Sequence, residues 1–378
     1  MKKIFVSCGE VSGDIYAGDF IKEILKIDPS IKISGMLGPN GEKAGGVVKW
    51  SYEELKLMGI LEIIPALPKI FKLKRDITNE ILTSKPDAVV LIDSPDFHLM
   101  LAKSLRKKNY AGKIICLITP TVWAWRAGRV KNLKRDFDLC LPLFYFEHKF
   151  LLEHNVNSKW KAHPLVHDLK DIKISEEFSK SFGNEKIIAL MPGSRRYDIN
   201  FHLEILIETA KLLKEKNFLP AVGLRPVFSI APGLTENLAY ELKSRVKESG
   251  FEFWEGSGRE LMKASQAVAG VSGTVAVEAM LLNKFMVVIY NMKKFNYMIL
   301  KRLVRVKNIS VPNLLIGREI YPELLCGNAT PERIVSELEN YLSNPERKDL
   351  IDSSLCEGVR LMGDCNAAEF WAQSVLEL

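Results

Sequence analysis

Short apolar runs recur along the first half of the chain, separated by stretches with helical spacing. Ile4–Ser7, Ile31–Leu37, Ala88–Ile92, Ile114–Ile118 and Leu139–Leu141 have the length and branched-residue content of strands. Ile15–Ile27 and His98–Lys108 have the period of helices. The strand runs are continuous rather than alternating, as expected of parallel strands covered on both faces by crossover helices. That rhythm predicts an open α/β sheet.

The rhythm stops over Val166–Lys186, a charged segment poor in apolar runs, which reads as a domain boundary. It then restarts. Strands are expected at Ile187–Met191, Phe218–Val222, Phe251–Trp254, Ala267–Val271 and Met286–Tyr290. Helices are expected at Ile199–Lys216, Glu236–Ser249 and Val275–Leu282, with Pro331–Ser343 and Ala367–Leu376 closing the chain. Two α/β sheets of similar size suggest a cleft, and ligands of such sheets bind beyond the carboxyl ends of the strands.

Composition narrows the class without naming it. The 378 residues are 47% apolar and 26% charged, so collagen, a disulfide miniprotein and bulk disorder are excluded. Fifty-three basic against 46 acidic residues give +7, an excess that suits a phosphate-bearing ligand or an anionic surface and does not call for nucleic acid. The six cysteines have no C-x-x-C spacing and no histidine cluster beside them, so reduced thiols and no structural metal are expected. No run is long enough for a signal peptide or for the roughly 18 apolar residues of a membrane span, which predicts a cytoplasmic chain.

Five loops at predicted strand ends could carry chemistry. Cys8-Gly9-Glu10-Val11-Ser12-Gly13-Asp14 brings glycines to a helix start, where a backbone can approach an anion; a tight turn capped by Ser12 or Asp14 explains it equally well. Asp93 closes the buried run AVVLI and could accept a proton from a hydroxyl nucleophile, whereas Asp96 suits a helix cap. Thr119-Pro120-Thr121-Val122-Trp123-Ala124-Trp125-Arg126 could form an aromatic platform or plain core. Pro192-Gly193-Ser194-Arg195 joins a glycine turn and an arginine at a helix start, a pattern suited to a diphosphate. Ser272-Gly273-Thr274 could hold another phosphate, with Glu278 one turn on and facing ribose hydroxyls; Thr274 as a cap and Glu278 as a surface residue is the alternative. Separately, Leu61, Ile63, Ile64, Leu67, Ile70 and Phe71 alternate with lysines. That pattern suits an interface with anionic headgroups, or core packing, and Pro65 and Pro68 are expected to break any single helix there.

In order, GEVSGD, IDSPDF, TPTVWAWR, MPGSR, SGTVAVE and VPNLL…PELL, the chain resembles the lipid-A-disaccharide synthases from residue 4 to about 326. The resemblance implies a GT-B fold: two Rossmann-like doubly wound domains facing a central cleft, with C-terminal helices returning to the first domain. Residues 1–170 would form the acceptor and membrane-contacting domain, 171–345 the UDP-sugar domain and 346–378 the returning helices. It implies inverting transfer of 2,3-diacylglucosamine from UDP-2,3-diacylglucosamine to 2,3-diacylglucosamine 1-phosphate, giving a β(1→6) disaccharide and UDP, with no cofactor or metal. Asp93 would be the base. Arg195, Ser272, Gly273, Thr274, Glu278 and Asn313 would serve the UDP-sugar, and Gly9, Ser12, Gly13 and Asp14 the acceptor side. The 61–71 segment would touch the cytoplasmic leaflet of the inner membrane, making the protein peripheral, and the C-terminal helices are candidates for a homodimer contact. Two positions depart from the family pattern: His98 stands where asparagine is expected after IDSPDF, and Cys326 where glutamine commonly follows PELL. The competing expectations are a UDP-N-acetylglucosamine 2-epimerase, which needs neither VWAWR nor the apolar segment, and a non-catalytic lipid binder on the same fold.

Overall fold

The computed structural model describes residues 2–56, 63–124, 127–183, 185–215, 223–292 and 308–378. The chain forms two units. One comprises Met1–His167 with Gly363–Leu378, the other Asp168–Met362.

The first unit holds a six-stranded sheet of β1 (Lys3–Cys8), β2 (Lys32–Leu37), β3 (Val47–Ser51), β4 (Ala88–Ile92), β5 (Lys113–Leu117) and β6 (Leu139–Leu141), in the order β3-β2-β1-β4-β5-β6. Every adjacent pair is parallel. Helices cover both faces, so all five residues of β4 are buried, as its uninterrupted apolar run requires. One face packs against the helix Val11–Ile27 and the last helix, Ala367–Leu376. The last helix begins cleanly because Asn366 accepts from the Ala368 and Glu369 N–H groups at 3.0 and 3.4 Å. It is anchored by Trp371, 2% exposed, against the edge of Tyr16.

The second unit repeats the plan with β7 (Lys186–Met191), β8 (Leu224–Ser229), β9 (Glu252–Trp254), β10 (Ser265–Val271), β11 (Phe285–Tyr290) and β12 (Glu323–Leu325). Its order, β12-β11-β10-β7-β8-β9, is the same winding counted from the other edge. In each unit the chain reverses its direction of travel across the sheet between the first and fourth strands. That switch point lies between β1 and β4 in one unit and between β7 and β10 in the other, and it is where doubly wound sheets bind ligands.

Several expectations change. The strand expected at Phe218–Val222 lies outside the described residues, and the strand beside β7 is β8. It contains Pro226, and β9 begins to pair with β8 only at Val227, one residue later, so the proline's missing N–H disrupts no β8–β9 pairing. The edge strands β3 and β12 escaped notice because an edge needs no continuous apolar run. The helix Pro345–Leu361 does not return to the first unit: it packs on the helices Thr274–Leu281, Val311–Ile316 and Pro331–Ser343. The return begins only at Gly363, so the boundary expected at 345/346 falls one helix too early.

Pro65 and Pro68 do not break the helix Ile63–Ser84. Pro65 sits in the first turn, where N–H groups have no intrahelical acceptor. Pro68 forfeits a single bond near the start of the helix and is exposed. Leu67 and Phe71 are 38% and 48% exposed, one turn apart, with Lys74 Nζ 5.5 Å from the Phe71 ring. Ile70 instead turns inward, against the core beneath this helix, which corrects its place in the expected apolar surface. Leu61, and the side chains of Ile63 and Ile64, lie outside the described residues. Among those described, no helix is long and apolar enough to cross a membrane.

Candidate active site

The site residues of the first unit collect at its switch point. Strand β4 delivers Asp93 just past its last residue, and the Asp93 N–H still bonds the Leu117 carbonyl of β5 at 3.1 Å. Asp93 and Ser94 both have positive φ, 54° and 44°, before the helix Pro95–Lys107 begins. Neither is glycine, and each such residue costs roughly 1–2 kcal/mol. The turn aims the half-buried carboxylate: Oδ1 accepts the Ser94 N–H at 2.8 Å. Burial, the hydrogen-bonded Glu10 carboxyl and its charge raise the Asp93 pKa to about 7, against the opposing pull of the Ser94 N–H. Such a carboxylate is poised near neutral pH for proton transfer.

Gly9 closes against this turn. A Cβ there would lie 2.1 Å from Ser94 Oγ and 2.9 Å from Leu55, so a larger residue would have to displace the Ser94 side chain. Ser12 is exposed beside it, while Gly13 packs under β1. Asp14 takes a different role from the acceptor contact expected. It is 1% exposed, and its carboxylate accepts from the N–H groups of Gly38, Asn40 and Gly41 at 2.7, 2.8 and 3.1 Å and from the Asn40 amide at 3.0 Å. It fastens the turn after β2 and caps neither its own helix nor a ligand. Asp96 likewise is no cap: it pairs with Arg129. Trp123 turns inward, donating to Glu147 at 2.8 Å and meeting Phe146 edge-on. Burial raises the Glu147 pKa to about 7, with the Trp123, Phe144 and Leu143 N–H donors opposing it. Trp125 and Arg126 of that loop lie outside the described residues.

At the second unit's switch point, two loops from the sequence meet. Pro192, Gly193, Ser194 and Arg195 after β7, with Ser272, Gly273 and Thr274 after β10, line one pocket of about 220 Å³, closed further by Asp198 and Ser229. Gly193 has φ +106°, and its Cβ would come 2.5 Å from Asp198 Cβ. Gly273, φ +150°, precedes the helix Thr274–Leu281. Ser194, Arg195, Gly273 and Thr274 are exposed. Hydroxyls, a guanidinium and a helix start gathered around one cavity suit a diphosphate. Glu278 is not a loose surface group: Arg259 Nε donates to it at 2.8 Å.

Asn313 is engaged by the protein itself. It is fully buried, and its amide donates to the Tyr321 carbonyl and Glu323, both at 2.8 Å. Its oxygen accepts from the Ile320 and Tyr321 N–H groups at 2.8 and 3.0 Å. Glu323 also takes the N–H groups of Ile309 and Ser310. The PN and PE pairs of the motif therefore clamp each other, which corrects the substrate role expected of Asn313. Cys326 has φ 47° at the end of β12. Among the described residues, no three His, Cys, Asp or Glu side chains gather as metal ligands would.

The lipid-A-disaccharide synthetase family profile matches residues 4–375, almost the whole chain. The chain belongs to the lipid-A-disaccharide synthase family. Its relatives include the lipid-A-disaccharide synthases of Geobacter metallireducens, 31% identical, and Myxococcus xanthus, 33% identical, each aligned over 100% of this chain and 97% of the relative. This makes the protein a glycosyltransferase, acting between a UDP-sugar and an acceptor in lipid A synthesis. Solved structures share its GT-B fold at low identity. A UDP co-structure of MnaA from S. aureus has a TM-score of 0.64 and 14% identity, covering 98% of this chain and 94% of that one. A UDP-GlcNAc 2-epimerase from Neisseria meningitidis, bound to UDP-GlcNAc, has 0.61 and 13%, covering both chains fully. At such identity the epimerases share the fold, and the family match sets the epimerase alternative aside.

Sequence reasoning missed Ser7, Glu10 and Arg259. Glu10 lies inside a motif already singled out, so its nearness to Asp93 could have been suspected. Arg259 and Ser7 have no local signal, because their partners are distant in sequence.

Proposed function

We propose that the protein transfers 2,3-diacylglucosamine from UDP-2,3-diacylglucosamine to 2,3-diacylglucosamine 1-phosphate at the cytoplasmic leaflet of the inner membrane. Asp93 takes the proton of the acceptor 6-hydroxyl as its oxygen attacks the anomeric carbon. The anomeric C–O bond to UDP breaks, and its electron pair leaves on the diphosphate, giving inversion. Arg195, with the Gly193 and Gly273 loops, holds that diphosphate as charge grows on it. Glu278, steadied by Arg259, faces the ribose. The observation that carries this reading is the Asp93 carboxylate, half-buried at the end of β4 with its pKa near 7.

The test is incubation with the donor, with and without the acceptor, in mild detergent with EDTA. UDP release and a disaccharide that both require the acceptor are expected. Donor breakdown without the acceptor would remove the proposal. Leu67 and Phe71 support the membrane contact, since exposed apolar side chains beside lysines favour anionic headgroups. Changing both to Ser should cut binding to anionic vesicles about tenfold at unchanged thermal stability, read by sedimentation and calorimetry. Undiminished binding would move the contact elsewhere.

A further inference from the structure

The Asp93–Ser94 turn needs something to hold it, because consecutive non-glycine residues at positive φ persist only where their surroundings over-determine them. The Asp93 N–H is tied to β5. Its carbonyl is tied to His98, whose Nδ1 lies 2.7 Å away. A carbonyl only accepts, so Nδ1 carries the ring proton and Nε2 is left as an acceptor. Ser7 Oγ, on β1 and 2.9 Å from Nε2, then donates. The imidazole is 3% exposed and spans the two strands that flank the switch point.

We infer that His98 is the positioning residue of this enzyme's base: neutral and held in one tautomer by Ser7, it fixes the Asp93 peptide so that the carboxylate points at the acceptor hydroxyl. The inference rests on the reading of Asp93 as the base. His98 touches no substrate in this scheme; it acts through the Asp93 backbone. Burial supports it by lowering the His98 pKa to about 4, so the ring stays uncharged wherever the enzyme works. Sequence spacing gives no hint of the arrangement, since Ser7 and His98 are 91 residues apart.

Two amides separate positioning from filling space. In His98→Asn the amide sits at the δ position and can take over the bond to the Asp93 carbonyl. In His98→Gln it sits one carbon farther out, at the ε position, where it reaches Ser7 and not Asp93. Both are polar and smaller than or similar to imidazole, so both should fold. His98→Asn should keep kcat within about fivefold of wild type, and His98→Gln should lose about 100-fold, since a misplacement near 1 Å costs that much. KM for the UDP-sugar and UDP affinity should stay within about twofold in both. Ser7→Ala should cost about fivefold in kcat alone. Equal kcat for the two amides, or a higher kcat for the glutamine, overturns the inference. Asp93→Asn run alongside separates the two claims: full turnover there removes Asp93 as the base, whereas a dead Asp93→Asn beside an active His98→Gln removes His98 alone.

Discussion

The two switch points solve opposite problems with the same winding. In the second unit the chain leaves β7 and β10 through Gly193 and Gly273, both at positive φ, with Ser194, Arg195 and Thr274 exposed beside them. The backbone is open there and costs little to bend. In the first unit the chain leaves β1 through Gly9, which has no positive φ, but it leaves β4 through Asp93 and Ser94, and the neighbouring β5 through Ile118, all non-glycine residues at positive φ. A β-branched residue in that region is rare. One unit keeps its loops bare, which suits the proposed anion contact with N–H groups. The other accepts strain so that one side chain, the Asp93 carboxylate, is held at a strand end. A ligand recognised by its charge needs an accessible backbone; a reacting proton needs a fixed carboxylate.

Removing the strained carboxylate should have the largest effect. Asp93→Asn should lower kcat by about 10³-fold while UDP affinity, measured by calorimetry, stays near wild type. The pH profile should carry the same signature. As the proposed base Asp93 would work deprotonated, so kcat/KM should rise through about pH 7 and level off above it. The stability linkage has the opposite sense. A carboxyl raised in the folded state favours folding at low pH, and that contribution is lost as pH rises through 7. Asp93→Asn should therefore melt higher than wild type at pH 8, with the gap closing toward pH 4. An unchanged gap across that range would show that burial does not set this pKa.

The bare loops should respond differently. Gly193→Ala puts a Cβ 2.5 Å from Asp198 at φ +106°. Loop displacement should weaken UDP binding by about tenfold and cost about 1–3 kcal/mol of stability. At saturating donor, kcat should fall much less than for Asp93→Asn. A kcat loss as large as that of Asp93→Asn would erase the distinction between a binding end and a reacting end.

How much of this the sequence showed depends on how local each cause is. Buried strands such as AVVLI were legible because burial on both faces leaves an unbroken apolar run, and with them came the loops at their ends. Asp93 and the Gly193 and Gly273 loops were singled out for that reason. Asp14 and Asn313 misled, because a residue in a motif can be held there by folding as firmly as by substrate. Their carboxylate and amide are spent on backbone groups of the turns after β2 and before β12. The His98–Ser7 pair and the Arg259–Glu278 pair stayed hidden, since each joins elements that only the folded chain brings together. The helix through Pro68 was missed because proline was weighed by type and not by its place near a helix start and at the surface.

The smallest expected effect is the one that bears most closely on strain. Ser94 caps nothing with its side chain, although it occupies the cap position at φ 44°. Ser94→Gly removes the left-handed penalty of roughly 1–2 kcal/mol and returns part of it by loosening the unfolded chain. Thermal stability should then stay level or rise by a degree or two. The hydroxymethyl group beside Gly9 is lost too, and the turn gains freedom. The Asp93 carboxylate should wander, and kcat should fall about threefold with KM unchanged. A more stable and slower enzyme is what strain spent on placement predicts. A variant equally fast and more stable would mean that the strain is incidental, and that the His98 and Leu117 bonds to the Asp93 peptide aim the carboxylate without help from Ser94.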